Sequence, residues 1–235
     1  MNIDKKYYQE INGNLTNTIQ DTNIDAPNKK VGKVRDAYFL DDKVVMISTD
    51  RQSAFDRVLA AIPYKGAVLN SVSAWWFKKT EHLFPNHLIS TPDPNVSIVE
   101  KCTVFPVEFV VRGYITGTTD TSLWTVYNNG DREYCGNTLP EGLKKNDKLD
   151  APMLTPTTKD KVHDRPVSRE EIIDLGLMSA EDYDIAAKMS LDLFAFGQET
   201  AKKNGLILVD TKYEIGTDSS GKIKFVDEIH TPDSS

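Results

Sequence analysis

The sequence predicts an α+β protein of two lobes with a ligand cleft between them. Segments with strand character dominate its first hundred residues, a loop-rich stretch and two helical patterns follow, and a hairpin pattern closes the chain. We expect a β-rich lobe with one helix over residues 1–105 and a larger α+β lobe over residues 106–235. Clefts between lobes are common places for nucleotides and substrates.

Composition fits a folded globular protein. The chain has 235 residues, of which 39% are hydrophobic and 27% are charged. A net charge of −7 argues against general nucleic-acid binding. A local basic pocket for a phosphorylated metabolite remains compatible with an acidic chain.

Several classes of protein and site are excluded by the pattern of residues. No apolar run approaches the length of a membrane span, and the N-terminus MNIDKKYYQE is too polar for a signal peptide, so we expect a cytoplasmic protein without a membrane partner. The two cysteines, Cys102 and Cys135, lack CxxC spacing. The four histidines are scattered. A zinc site is therefore not expected.

The first elements are predicted by strand and helix patterns. Residues 34–40 and 44–49 alternate around a short polar turn and predict a hairpin. Residues 67–84 have apolar side chains near helical spacing, and a proline follows them. We expect Trp75 and Trp76 of this helix to lie in the core.

The middle of the chain is predicted to be less regular. Residues 103–115 are rich in β-formers but contain Pro106, which predicts a break or crossover near Phe105. The stretch 128–165, rich in Gly, Pro, Thr and Lys, predicts mainly loops.

Two helices are predicted by their N-terminal capping patterns. Ser168 with Glu171 forms a capping-box pattern for a short helix, and Ser179 with Asp182 begins a longer one that ends at Gly205. The expected core residues of the longer helix include Ile185, Met189 and Phe196.

The segment LVDTKYEIG (208–216) has two interpretations. Strand alternation puts Asp210, Lys212 and Glu214 on one face. An edge strand with this face in water is the simpler interpretation. The other is a binding surface, in which carboxylates hold a divalent cation and Lys212 holds an anionic group.

A hairpin favours the binding interpretation. Residues 223–228, IKFVDE, follow a turn-rich connection and are expected to pair with residues 208–216, which brings Asp227 and Glu228 towards Asp210. Mg²⁺ prefers a few carboxylates completed by phosphate oxygens. Because clustered carboxylates repel one another without a cation, we expect loss of one to leave stability unchanged or raised.

Eight motifs, in order, carry a resemblance to a known family. They are GKVRDAY (32–38), DRQSAFD (50–56), IPYKGAVLN (62–70), PVEFVVRGYITGT (106–118), TPTTK (155–159), HD (163–164), LILVDTKYEIG (206–216) and VDEIHTPDSS (226–235). The series resembles the phosphoribosylaminoimidazole-succinocarboxamide synthase (SAICAR synthetase) family from about residue 30 to the last residue.

The resemblance implies an ADP-forming amide ligase. Such an enzyme joins L-aspartate to the carboxylate of 5-amino-1-(5-phospho-D-ribosyl)imidazole-4-carboxylate (CAIR), giving SAICAR, ADP and phosphate in de novo purine biosynthesis. ATP first converts the carboxylate to an acyl phosphate, which the aspartate amine then attacks. The implied cofactors are ATP and Mg²⁺, and the implied partners are the small-molecule substrates, with a possible homo-oligomer.

The resemblance also implies roles for individual residues. Those implied for the nucleotide are Lys33, Arg35, Val104, Phe105, Glu108 and Lys159. Those implied for CAIR are Asp56, Arg112, Thr118, Asp164, Ser234 and Ser235, with His163 left open as a loop residue. Those implied for catalysis are Lys212, Asp210 and Glu214. Those implied for Mg²⁺ are Glu214, Asp227 and Asp210.

One departure from the family pattern and two alternative functions qualify this prediction. The family pattern continues after DSS with an arginine and further helical sequence, whereas this chain ends at Ser235. Either a longer protein is represented in part, or this form lacks that element. A kinase-like phosphotransferase and a non-catalytic nucleotide-binding module remain alternatives, although HRD and DFG motifs are missing.

Overall fold

The computed structural model describes residues 5–54, 57–159 and 165–235. It separates into two compact units, one formed by Met1–Lys78 with His87–Lys101, the other by Lys79–Asn86 with Cys102–Ser235. Both contain antiparallel sheet, and helices accompany the sheets, which confirms the α+β class. The predicted lobe boundary at residue 105 stays a prediction.

The first unit is built on a five-stranded antiparallel sheet. In chain order its elements are α1 (Lys5–Gly13), β1 (Lys29–Val31), β2 (Arg35–Phe39), β3 (Lys43–Ser48), β4 (Arg51–Ala54), β5 (Arg57–Ala61), α2 (Lys65–Thr80), β6 (Leu88–Asp93) and β7 (Val96–Glu100). The strand order of the sheet is β1-β2-β3-β7-β6, and β4 pairs with β5 separately.

The hairpin predicted near the N-terminus is confirmed. Strands β2 and β3 pair from Arg35 opposite Ser48 to Phe39 opposite Val44. Alternation buries Asp36, Tyr38 and Ile47 on one face of this pair, and Val44 is buried on the other face.

Helix α2 is confirmed, but the expectation that Trp75 lies in the core is wrong, whereas Trp76 is half-buried. Trp75 is 51% exposed. The buried stripe instead follows positions four, four and three apart, namely Leu69, Ser73, Phe77 and Thr80. The residues of α2 that are buried are those on the face of the helix that meets the core, and Trp75 lies off that face.

The second unit is built on a sheet around one long strand. Its elements are β8 (Thr103–Tyr114), α3 (Leu123–Asn128), β9 (Glu133–Tyr134), β10 (Asn137–Thr138), β11 (Lys148–Leu154), β12 (Thr157–Thr158), α4 (Arg169–Asp174), α5 (Ala180–Lys203), β13 (Asp210–Thr217) and β14 (Ile223–Val226). The sheet order is β11-β8-β13-β14, with β12 also paired to β8.

The break predicted at Pro106 is wrong, because β8 continues through the proline. The pairing is what changes. On one side Glu108 pairs with Glu214 and Val104 with Gly216, so the register shifts opposite the proline, which has no N–H to donate. On the other side the carbonyl of Pro106 accepts from the backbone N–H of Lys159 at 3.1 Å.

The stretch 128–165 holds more regular structure than predicted. Strand β11 pairs with β8, and a buried cluster lies alongside it. Its members are Ile115, Leu123, Tyr127, Leu139 and Leu149. Leu139 and Leu149 of this stretch thus join a core with residues that precede it, and their wide spacing gives no local pattern.

The two caps are confirmed. Ser168 and Glu171 form the capping box of α4, and the Ser179 side chain accepts from the N–H of Asp182 at the start of α5. The expected core position Ile185 of α5 is wrong, since it is 42% exposed. The buried positions are Tyr183, Ala186, Ser190, Leu193, Phe194 and Gly197.

Across the described ranges, none of the helices is both long enough and apolar enough to cross a membrane. The expected cytoplasmic location stays a prediction.

Candidate active site

Strand β13 separates a buried face from a polar one. Thr211, Tyr213 and Ile215 are buried, while Asp210, Lys212 and Glu214 are partly exposed. The strand lies between β8 and β14, so the edge-strand interpretation is wrong. A charged face in the middle of a sheet calls for partners from the neighbouring strands.

Strand β8 provides those partners. Glu108 stands directly opposite Glu214 in the antiparallel register, an arrangement that repels because both side chains carry negative charge. Lys212 relieves it: its Nζ donates to Glu108 Oε1 at 2.7 Å and to Glu214 Oε1 at 3.3 Å. We call Glu108, Lys159, Lys212 and Glu214 the central cluster.

Lys159 completes the central cluster. It follows β12 directly, and its Nζ forms an ion pair with Glu214 Oε2. Glu214 thus contacts two ammonium groups. Thr157 of β12 donates to Glu108 Oε2 at 3.4 Å, so β12 also helps to hold the opposite carboxylate.

The charges of the central cluster stabilise one another. Burial alone would raise the pKa of Glu214, but Lys159 and then Lys212 attract its charge and hold the pKa below its usual value. Burial would lower the pKa of Lys212, yet Glu214 and then Glu108 raise it well above the ordinary value. The two glutamates thus favour the ammonium form of Lys212.

Arg112 lies further along the same face. It pairs with Asp210 in the register, and its Nη1 lies 3.9 Å from Asp210 Oδ2. Its Nε donates to Thr155 Oγ1 at 2.9 Å. The guanidinium is thus oriented by a hydroxyl and a carboxylate, which suits a group that binds a phosphate.

The segment after β14 runs back along β13. The N–H of Lys212 and the hydroxyl of Thr211 both donate to the carbonyl of Ser234, at 2.9 and 3.1 Å. Ser235 Oγ lies 2.9 Å from Thr211 Oγ1. Residues 231–235 are therefore attached to the strand that carries Lys212. The Ser234 hydroxyl accepts from the N–H of Thr231 at 3.0 Å.

Asp227 begins this returning segment. Val226 pairs with Glu214, and Asp227 follows with a positive φ of 62°. Its charge helps to raise the pKa of Lys212, after the larger effects of Glu214 and Glu108. A non-glycine residue with positive φ is costly and is often found where function requires it.

The predicted nucleotide residues lie in both units. Val104, 42% exposed, and Phe105 stand near the start of β8. Lys33 is exposed in the turn between β1 and β2, and Arg35 begins β2 in the first unit.

Three further predicted residues lie elsewhere. Thr118 is exposed in the loop that follows β8. Asp56 and Asp164, together with His163, lie outside the described residues.

The family model for SAICAR synthetase matches residues 28–235. The chain belongs to the SAICAR synthetase family. This family catalyses the ATP-dependent ligation of L-aspartate to CAIR in purine biosynthesis, so the chain is assigned to the ADP-forming carbon–nitrogen ligases.

Curated relatives have the same name. The chain is 59% identical over 217 residues to the phosphoribosylaminoimidazole-succinocarboxamide synthase of Legionella pneumophila, covering 92% of this chain and 70% of that protein. It is 58% identical over 230 residues to the chloroplastic synthase of Arabidopsis thaliana, covering 96% of this chain and 56% of that protein.

Solved structures of the family share the fold. The SAICAR synthase of Saccharomyces cerevisiae, complexed with SAICAR, superposes with a TM-score of 0.81 at 32% identity, covering 92% of this chain and 78% of that one. A SAICAR synthetase in complex with ADP superposes with a TM-score of 0.72 at 28% identity, covering 86% and 80%.

The donor set fits the Mg²⁺ that a SAICAR synthetase is predicted to use. Among the described residues, no three His, Cys, Asp or Glu side chains converge closely enough to hold an ion alone. Mg²⁺ usually takes one or two protein carboxylates and completes its shell with water and phosphate oxygens. Glu214 and Asp227, at neighbouring positions of one hairpin, match that smaller protein contribution.

Sequence reasoning missed the two threonines that hold Arg112 and Glu108. Thr155 and Thr157 lie in the TPTTK motif, which carried the resemblance, but only Lys159 was given a role. Their spacing of two was the available signal, because on an extended segment it sends both hydroxyls to the same side.

Proposed function

We propose that the polar face of β8 and β13 binds the carboxylate of CAIR next to the γ-phosphate of ATP and joins it to L-aspartate. The central cluster carries this proposal. Two glutamates placed opposite each other on neighbouring strands would repel, and they are balanced by two lysines. A purely structural sheet gains nothing from such an arrangement that apolar residues would not supply better.

The chemistry needs positive charge where the central cluster has it. A CAIR carboxylate oxygen attacks the γ-phosphorus, forming an acyl phosphate as ADP leaves; the aspartate amine then attacks the acyl carbon, and inorganic phosphate leaves. Both steps bring anionic groups together, so charge neutralisation and positioning dominate the catalysis. We assign the phosphoryl oxygens to Lys159 and Lys212, whose ammonium groups contact the glutamates of the central cluster.

The two ends of the face receive different parts of the substrates. We assign the ribotide phosphate to Arg112, with Thr118, Ser234 and Ser235 near that end. Asp210 and Lys212 face the CAIR carboxylate. The adenine end belongs to Val104 and Phe105.

Further assignments concern the phosphates of ATP and the metal. Lys33 and Arg35 contact ATP phosphates, and Glu108 lies between nucleotide and CAIR. Glu214, Asp227 and Asp210 are the proposed Mg²⁺ carboxylates. When bound, Mg²⁺ would neutralise the phosphate oxygens during transfer. We keep Asp56 and Asp164 as proposed CAIR contacts from the sequence alone.

Omission of each substrate tests the reaction. ADP release is measured with ATP and Mg²⁺ while CAIR and aspartate are left out in turn. A ligase forms SAICAR only in the complete mixture. ADP release that continues at the full rate without aspartate, together with a stable phosphorylated product, would indicate a kinase instead.

A matched pair of lysine substitutions tests the site. Lys212→Met removes the ammonium group that both glutamates contact, and SAICAR formation should fall at least a hundredfold, as when a charged transition-state contact is lost. Lys224→Met on the same hairpin breaks an ion pair with Asp218, whose carboxylate lies 2.9 Å from Lys224 Nζ. It should keep turnover near the wild-type value. Equal losses in the two variants would contradict the assignment of Lys212.

A further inference from the structure

A buried arginine of the first unit contacts the backbone next to Lys33. Arg51 is 8% exposed, and it donates from Nη2 to the carbonyl of Gly32 at 3.0 Å and from Nε to the carbonyl of Lys33 at 3.1 Å. Its Nη1 donates to the carbonyl of Gln20. One planar guanidinium therefore fixes two successive peptide groups of the turn that carries Lys33.

Arg51 is itself held in place by a buried carboxylate. Its Nη2 lies 2.7 Å from Oδ1 of Asp36, which is fully buried on β2. Oδ2 of Asp36 accepts from the Thr22 hydroxyl at 2.7 Å and lies 3.1 Å from the Lys29 ammonium. With partners on both oxygens of Asp36, the guanidinium has a defined position and a balanced charge.

Thr49 secures the next residue of the turn. Its hydroxyl and its N–H both donate to the carbonyl of Val34, at 2.8 and 2.9 Å. The N–H of Gly32 donates to the carbonyl of Arg35 at 2.8 Å and closes the turn. Three successive carbonyls, those of residues 32, 33 and 34, thus accept hydrogen bonds from Arg51 and Thr49.

This pattern sets the direction of the turn's N–H groups. In a planar trans peptide the C=O and the following N–H point in opposite directions. With the carbonyls of Gly32 and Lys33 directed at Arg51, the N–H groups of Lys33 and Val34 are directed to the other side of the turn. Successive N–H groups with a common direction favour an anion.

We propose that Arg51 is a positioning residue for ATP, because it fixes the turn Gly32–Arg35 in the conformation in which Lys33 meets the ATP phosphates. This inference rests on the proposed phosphate contact of Lys33. Arg51 acts through the backbone, since its own side-chain nitrogens are directed at protein oxygens.

The test compares Arg51→Lys with Lys33→Met. Lysine keeps the charge next to Asp36 but cannot span two carbonyls as a guanidinium does. Arg51→Lys should raise the KM and the Kd for ATP about tenfold or more and leave the KM for CAIR within about twofold. Amide hydrogen exchange of the segment 28–36 should become faster in this variant.

The double variant separates action through the turn from general damage. If Arg51 acts by positioning Lys33, Arg51→Lys should weaken ATP binding much less in the Lys33→Met background than in the wild type. If the two substitutions change the Kd for ATP by independent factors that multiply in the double variant, the inference is overturned. Ser97→Ala is the matched control: it removes a buried 2.7 Å hydrogen bond to Asn70 in the same unit, and the KM for ATP should not change.

Thr49→Val provides the same test with a smaller perturbation. It removes the hydroxyl bond to Val34 with little change in shape, and the KM for ATP should rise severalfold. Wild-type ATP affinity in folded Thr49→Val and Arg51→Lys overturns the role of Arg51 while the ligase assignment stands. If Lys33→Met binds ATP as the wild type does, Lys33 does not contact the ATP phosphates, and the inference fails as well. An ATP affinity that does not depend on Lys33, in a protein that still makes SAICAR, would therefore contradict the inference and leave the reaction unaffected.

Discussion

At the scale of single residues, the central cluster changes an expectation about stability. From sequence alone, the carboxylates of β13 were expected to repel one another, so that losing one would be neutral or stabilising. The structure alternates them with ammonium groups, and Glu214 contacts both Lys159 and Lys212. Removing its charge leaves two partly buried cations with less compensation, so the sign of the expected effect is reversed.

Glu214→Gln tests this reversal together with the metal proposal. The amide keeps the shape but loses the charge, so turnover should fall steeply and should need more Mg²⁺. The free energy of unfolding without Mg²⁺ should fall by about 1–3 kcal/mol, the cost of a lost charged hydrogen-bond partner. Turnover against Mg²⁺ concentration and urea unfolding measure the two effects.

Asp218→Asn is the control for Glu214→Gln, because Asp218 is an ion-paired carboxylate of the same hairpin outside the central cluster. Its Mg²⁺ curve should match the wild type. A higher free energy of unfolding in Glu214→Gln than in the wild type would support repulsion among the carboxylates instead.

Arg112→Ala should separate the two ends of the face. Loss of the guanidinium should raise the KM for CAIR about tenfold to a hundredfold and leave the KM for ATP nearly unchanged, since its proposed partner is the ribotide phosphate. Thr155→Val removes the 2.9 Å bond that orients the Arg112 Nε, together with a 3.4 Å bond to the carbonyl of Val110, and should give the same change on a smaller scale. An equal rise in the KM for ATP would contradict the assignment of Arg112 to the ribotide phosphate.

At the scale of secondary structure, β13 has no room for a side chain at Gly216, where it pairs with β8. A Cβ added at Gly216 would lie 2.6 Å from the carbonyl oxygen of Thr103 and 3.0 Å from the Cα of Val104. Both neighbours are backbone atoms, which cannot move aside as a flexible side chain can. The glycine therefore sets the spacing of the strands where the adenine end of the site is proposed.

Gly216→Ala should disturb that end specifically. Overpacking should cost about 1–3 kcal/mol of stability and raise the KM for ATP more than the KM for CAIR. Gly221→Ala is the control: a side chain there meets open space but is strained by a φ of 85°, so it should destabilise without an ATP effect. Steady-state kinetics with each substrate varied, alongside urea unfolding, distinguish the two.

The elements that sequence predicted well have local causes. Strand alternation at Arg35–Phe39 and Asp210–Thr217, and the serine caps of α4 and α5, are determined by neighbouring residues. The misplaced break at Pro106 and the underestimated stretch 128–165 both depend on distant pairing. A proline can remain in β8 because its carbonyl still accepts from the N–H of Lys159, directly after β12, and the β13 register adapts.

At the scale of the whole molecule, one buried histidine predicts how stability depends on pH. His230 is 7% exposed, it shares a hydrogen bond with the Tyr213 hydroxyl, and burial lowers its pKa to about 3. Above the unfolded pKa of about 6.5, both states are neutral and His230 adds no pH dependence. As the pH falls below that value, only the unfolded state takes up the proton, so stability is lost between about pH 6.5 and 3.

The expected slope of this loss is up to about 1.4 kcal/mol per pH unit for the single proton. Urea unfolding from pH 8 to 4 should show a shallower decline in His230→Gln than in the wild type. His82→Gln, at an exposed position, should follow the wild-type curve. Parallel curves for all three proteins would show that His230 is not the group responsible.

Much of the candidate site was predictable because its residues lie in ordered motifs. The motifs predicted Lys212, Glu108, Glu214 and Arg112 as members, and the structure brings these four to one face of two paired strands. What the motifs did not supply is the set of contacts that orients them. Those contacts link positions far apart in the chain, 19 residues for Arg51 with Gly32 and 43 for Arg112 with Thr155, and no local pattern records such a pairing.

The unbroken course of β8 has a consequence for which molecules can be substrates. Glu108 and Arg112 are four residues apart on one extended strand and face the same side, which separates their Cα atoms by about 14 Å. The extended backbone fixes that interval, and β8 packs against α5 and pairs with three neighbouring strands. Under the proposed assignment of the ribotide phosphate to Arg112, an imidazole carboxylate that lacks the ribose phosphate would not extend along the strand as far as Arg112, so the length of β8 would favour the complete ribotide.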